Sequence, residues 1–132
     1  MRGEFDCLAA MAVLAWLALF VASVAATRAW SLNGLQIAFG NRQHLPEATP
    51  FAGRADRAAR NLPETLVLFT AILLAVQSAG KSGSVTLLGT TLFFWSRLVY
   101  WPVYLIGIPY LRTLLWWLSI IGLALLASTL FF

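Results

Sequence analysis

The chain has 132 residues, of which 61% are hydrophobic and only 11% charged, and its mean hydropathy is +0.82. A water-soluble domain runs roughly 25% charged, so this composition excludes one and describes a single-domain membrane protein. Nine Lys+Arg against five Asp+Glu leave a net charge of +4, which in so apolar a chain signals membrane orientation before it signals nucleic acid.

In chain order, the run from Cys7 to Ala26 is uncharged and long enough to cross a hydrocarbon core, which takes about 20 apolar residues, and it predicts a first span over 7–27. A cleaved secretory signal is the rival reading. Glu4 and Asp6 outweigh Arg2 ahead of the run, and the run is long, both of which weigh against it. Trp30 to Asp56 contains Gly34, Gly40, Asn41, Pro46, Pro50 and Gly53, the composition of an irregular loop. Leu66 to Ala79 is apolar but too short to cross, so its helix must begin near Arg60 or earlier, giving a second span over 57–79 that carries polar groups into the membrane. After a Gly/Ser/Lys turn, a third span over 84–106 contains Arg97, Tyr100, Pro102 and Tyr104. A tight turn at Gly107 to Tyr110 leads to a last, uncharged span over 112–132.

The expected fold is therefore an all-α integral membrane protein, a four-transmembrane-helix bundle. Arg28, Arg42, Arg54, Arg57, Arg60 and Arg112 flank or occupy the odd-numbered connectors, while only Arg2 and Lys81 lie on the other side. The positive-inside rule then puts both termini outside the cytoplasm.

The polar residues concentrate at one leaflet. If residues 53–64 are helical, Arg57, Asn61 and Glu64 share a face at i, i+4 and i+7, and Arg60 meets Glu64 at i+4. In the third span Arg97, Tyr100 and Tyr104 share a face at i, i+3 and i+7, and Arg112 heads the fourth. A charge at membrane depth costs about 2.5–3.5 kcal/mol on insertion scales, so such groups face the bundle interior or a wet cavity and pair. The arginines outnumber Glu64, which describes a pocket for a small anion bearing carboxylates or a thiolate. The plainer alternative is that Arg57 and Arg60 snorkel to lipid phosphates while Glu64 and Arg97 form an ion pair between helices.

The set Arg57-x-x-Arg60-Asn61-x-x-Glu64, Arg97-x-x-Tyr100-x-x-x-Tyr104 and Gly-Ile-Pro-x-x-Arg112-Thr113 resembles the MAPEG family, the membrane-associated proteins in eicosanoid and glutathione metabolism. The resemblance runs from Gly40-Asn41-Arg42 to Trp116 and is to bacterial-type members, which implies a bacterial inner membrane. It implies a homotrimer that binds glutathione between protomers near the cytoplasmic face. Arg57, Arg60, Asn61 and Glu64 would hold the charged ends of glutathione, Tyr100 and Tyr104 would line the peptide, Arg97 would be a further binding residue, and Arg112 would face the sulfur. Arg28 is a further ligand by the same analogy. The sequence departs from the family pattern at Pro63 and Pro102, each expected to disturb a helix between site residues, and at Trp116, where some members have tyrosine.

The chemistry that follows is thiol activation. A free thiol has a pKa near 8.5, and a guanidinium held beside it at low dielectric favours the anion; a shift of about two units makes thiolate the major form at neutral pH. Arg112 and Tyr104 are the candidate catalytic residues, with Arg preferred to Lys because it keeps its proton. The expected activity is that of a glutathione transferase or peroxidase acting on lipophilic electrophiles or lipid hydroperoxides. Its rival is a non-catalytic lipid-binding or scaffold protein of the same fold. A small transporter is the weaker third, because the first and last spans contain no acidic residue. One cysteine and one histidine exclude an intramolecular disulfide and a histidine cluster. No metal is expected, since His44 sits alone in a polar loop. Nor is nucleic acid: no phosphate-binding glycine loop is present, and the aromatic residues lie in or beside the spans.

Overall fold

The computed structural model describes residues 3–27, 31–40 and 49–132; His44 lies outside them. The described residues form five helices: α1 (Glu4–Thr27), α2 (Leu32–Phe39), α3 (Pro50–Ser78), α4 (Ser84–Ile106) and α5 (Pro109–Phe131). The third predicted span coincides with α4 at both ends. The expected irregular loop up to Asp56 does not: it contains α2 and the first two turns of α3. Pro50, which reads as loop punctuation, is instead the first residue of α3, where its missing N–H costs nothing. Thr49 precedes it, and its hydroxyl accepts a hydrogen bond from the Ala52 N–H at 3.1 Å, capping the helix start.

Three helices, α1, α3 and α5, are long and apolar enough to cross a membrane. The expected count was four; α4 has the length, 23 residues, but its polar groups lower its apolarity. Its packing answers that deficit. α4 packs most extensively on α5, and also meets α1 and α3, so that Thr86, Thr90, Ser96 and Arg97 are buried inside the bundle. Ser96 donates to the Leu92 carbonyl one turn back at 2.6 Å, keeping its hydroxyl satisfied within its own helix.

The α4–α5 contact rests on two glycines. A Cβ on Gly122 would lie 2.7 Å from the Gly89 carbonyl oxygen and 2.8 Å from the Phe93 nitrogen, and a Cβ on Gly89 would lie 2.7 Å from the Gly122 carbonyl oxygen. Small residues let backbones approach where lipid gives no hydrophobic drive to helix association. Nearby, Phe69 of α3 stacks on Phe93 of α4 with centroids 4.6 Å apart and planes 10° apart. With Met11 of α1, Leu73 and Val76 of α3 and Leu126 of α5 it forms the apolar core.

One end of the bundle is closed by Glu4. Its carboxylate is buried and accepts from the Thr86 hydroxyl at 2.6 Å, from the Ser82 hydroxyl at 2.8 Å and 2.9 Å, and from the Gln77 amide. Residues of α1, α3, the following turn and α4 therefore meet on one acceptor. At the other end α4 stops at Gly107, whose φ of +90° suits glycine, and Pro109 opens α5 two residues later.

Gly122→Ala is expected to destabilise the protein by about 1–3 kcal/mol, because the added methyl meets backbone on α4 rather than a movable side chain. Thermal unfolding in detergent measures this. A Tm equal to that of the parent would mean the helices do not approach as described.

Candidate functional site

The first half of α3, the last half of α4 and the head of α5 meet at the end of the bundle opposite Glu4. Pro102 leaves α4 continuous and faces outward, so the doubt it raised does not materialise: Tyr100 and Tyr104 are both buried on one side of the helix. Their rings pack edge to face, with centroids 5.5 Å apart and planes at 69°.

Three arginines surround this pair. Arg97 lies with its guanidinium carbon 4.8 Å from the centroid of the Tyr100 ring, and Arg112 lies 4.7 Å from that of Tyr104. Arg57, reaching from α3, donates from Nε to the Tyr104 hydroxyl at 3.3 Å. That hydroxyl uses a lone pair on Arg57 and keeps its own proton for another acceptor.

Arg97 is the most unusual of these residues. It is 0% exposed. Its Nη1 donates to the Asn61 side-chain oxygen of α3 at 2.5 Å, while Nε and Nη2 meet no acceptor at hydrogen-bond geometry among the described residues. The expected alternative of a Glu64–Arg97 ion pair is not what the helices make. A neutral amide stands where a carboxylate would, and no counter-charge to the cation occurs among the described residues.

The outward face of α3 differs from the sequence expectation in a second way. Arg60 pairs with Asp56, one turn earlier, at 3.1 Å, and not with Glu64. Both partners are half or more exposed, so the pair contributes little to stability. Pro63 lies inside α3 without ending it. Asn61 turns inward to Arg97, whereas Arg57, Arg60 and Glu64 are exposed. The predicted residues thus divide into two groups. Arg97, Tyr100, Tyr104, Arg112, Arg57 and Asn61 come together, Arg60 and Glu64 stand on the adjoining exposed face, and Arg28 lies outside the described residues.

Tyr100, Arg112, Thr113, Trp116 and Trp117 line a cavity of about 230 Å³. Trp117 was not singled out from sequence, because in a tryptophan-rich apolar span nothing marks one indole from the next. Arg54 was missed as well. It counted only toward membrane orientation, yet its Nε donates to the Leu105 carbonyl at the end of α4 at 2.9 Å. No group of three or more His, Cys, Asp or Glu able to hold a metal occurs among the described residues.

The arrangement is suited to an anion: three guanidinium groups, one of them short of partners, two phenols, and a cavity with two indoles on its wall. A buried charge without a counter-charge is costly, and apolar replacements of buried ionic groups are often neutral or stabilising. Arg97→Met is therefore expected to leave the Tm of the ligand-free protein unchanged or raised while removing anion binding at this site. Thermal unfolding and anion titration of both proteins check it; a marked loss of stability without ligand would show that Arg97 has an internal counter-charge.

The family model described as MAPEG family matches residues 5–132 of the chain. Among curated proteins and among solved structures, nothing matches it.

Proposed function

We propose that this chain, which belongs to the MAPEG family and is a multi-pass integral membrane protein, is a four-span glutathione-dependent transferase or peroxidase. The observation that supports this most is the fully buried Arg97, with two nitrogens unpartnered among the described residues, next to the Arg57–Tyr104–Arg112 chain. A site that holds cations in excess at membrane depth is built at a cost of several kcal/mol, and an anionic ligand offsets that cost.

Glutathione supplies a nucleophilic sulfur and two carboxylates. Arg112 beside the cavity stabilises the thiolate, and the Tyr104 hydroxyl, accepting from Arg57, directs its proton toward the same sulfur. Arg97 with Asn61, and Arg57 and Arg60 on the outer face, take the carboxylates; Glu64 takes the ammonium group. The sulfur then forms a bond to an electrophilic carbon as the leaving group departs with its electron pair. With a hydroperoxide the sulfur forms a bond to the terminal oxygen as the O–O bond breaks, giving a sulfenic acid and an alkoxide that takes a proton from water and leaves as the alcohol; a second glutathione thiol then displaces water from the sulfenic acid to form the disulfide. Trp116 and Trp117 offer an apolar wall to a substrate arriving from the bilayer.

A volume of about 230 Å³ falls below the roughly 300–1,000 Å³ of pockets that enclose a small-molecule ligand. One chain therefore supplies part of the wall. The exposed Arg57, Arg60 and Glu64 beside it are what a neighbouring copy would cover, which supports a homotrimer with glutathione between protomers. α4 is the fourth span in this reading, its Arg97 shielded by α3. The arginine-rich end lies at the cytoplasmic leaflet of a bacterial inner membrane, with both termini outside.

A second reading, a non-catalytic lipid-binding or scaffold protein, draws on an apolar groove of about 470 Å³ along α3, lined by Pro63, Leu66, Val67, Thr70, Ala71 and Leu74. Glutathione titration and turnover with an aryl halide and a lipid hydroperoxide, in detergent, separate the two. The expected result is ultraviolet thiolate absorbance with a pH midpoint about two units below that of the free thiol, together with turnover. Arg112→Ala should raise that midpoint and lower kcat by about 10²-fold. Glutathione binding without turnover on either substrate would favour the scaffold.

A further inference from the structure

Arg54 is not among the residues that line the cavity, yet it holds the segment on which their spacing depends. Its Nε donates to the carbonyl of Leu105, the next-to-last residue of α4. That carbonyl is one of the last four of a helix, which have no partner within it, and a cation there also meets the negative end of the helix dipole. The side chain lies across Gly107. A Cβ at that glycine would stand 3.3 Å from both Cδ and Nε of Arg54 and 3.6 Å from Cζ. Gly107 thus provides the positive φ that the turn requires and the space that Arg54 occupies.

Backbone hydrogen bonds also hold the turn. The N–H groups of Gly107 and Ile108 both reach the Val103 carbonyl, at 3.0 Å and 3.3 Å, and the Arg112 N–H reaches Ile108 at 3.2 Å. All of these are local to the turn and the two helix ends it joins. Arg54 adds a hydrogen bond that comes from α3. Three residues later, on the same helix, Arg57 binds the Tyr104 hydroxyl. α3 therefore grips the end of α4 twice, once by backbone and once by phenol, and the turn between those grips and α5 sets where Arg112 lies over Tyr104.

We propose that Arg54 is a positioning residue, which fixes the α4–α5 turn and through it the placement of Arg112 against Tyr104. Its effect on thiol activation rests on the glutathione reading above; its hold on the turn does not. A displacement of about 1 Å at a reacting centre costs on the order of 10²-fold in rate, so loosening this turn is enough to affect chemistry without removing any group from the site.

The test compares the full-length parent with Arg54→Met, which keeps the length and loses the donor, and Arg54→Lys, which restores a cationic donor. Backbone hydrogen exchange is followed without glutathione, and thiolate formation and turnover with it. Arg54→Met should speed exchange about tenfold within 103–112 and leave α1 unchanged. It should also raise the pH midpoint of thiolate formation and lower kcat about tenfold, with KM for glutathione held within about twofold. Arg54→Lys should recover most of each effect. Unchanged exchange in Arg54→Met overturns the proposal, as does faster exchange with the pH midpoint unmoved. A parent protein that forms no thiolate overturns the glutathione reading and the effect on thiol activation. The exchange result then still decides whether Arg54 holds the turn.

Discussion

The cost of holding the Arg97 guanidinium away from water organises this end of the molecule. Removing a charge from solvent is repaid only with close partners and a complementary charge, and here α3 supplies an amide, α4 supplies a phenol face, and no carboxylate pairs with it among the described residues. α4 is too polar to count as a membrane span on its own apolarity, and it packs against α1, α3 and α5 with its polar face inward. Its polar residues are tolerated because α1, α3 and α5 separate them from lipid. That demand in turn brings the first half of α3, rich in arginine, against the tyrosines.

The two ends of the bundle handle buried charge in opposite ways. At one, Glu4 is met by an amide and two hydroxyls from three further segments, the saturated arrangement of a structural joint. At the other, arginines crowd two phenols and leave donors unused. Between the two ends, the Phe69–Phe93 stack and the Gly89–Gly122 contact form an apolar middle that keeps them in register.

Much of this was legible in the chain. The uncharged runs located α1 and α5, and the spacing of Arg97, Tyr100 and Tyr104 put them on one face, as the structure has them. Periodicity served there because all three residues sit on one uninterrupted helix. It misled at Arg60, where two acidic residues lie four positions away on either side and i,i+4 spacing alone does not choose between Asp56 and Glu64. The start of α3 was hidden by Pro50 and Gly53, which punctuate loops as readily as they begin helices. Arg54 was hidden for a different reason: its partner is a backbone carbonyl 51 positions away, and a carbonyl carries no residue identity to read.

The helix lengths have a further consequence. α3 has 29 residues and α4 and α5 have 23 each, so α3 is longer by six residues, or about 9 Å. A helix that exceeds its neighbours by this much must tilt or project from the hydrocarbon. Arg54 and Arg57 lie toward the end of α3 that packs on the end of α4. The depth at which those side chains meet the end of α4 is therefore tied to bilayer thickness, and acyl-chain length becomes a variable that acts on the site through hydrophobic mismatch.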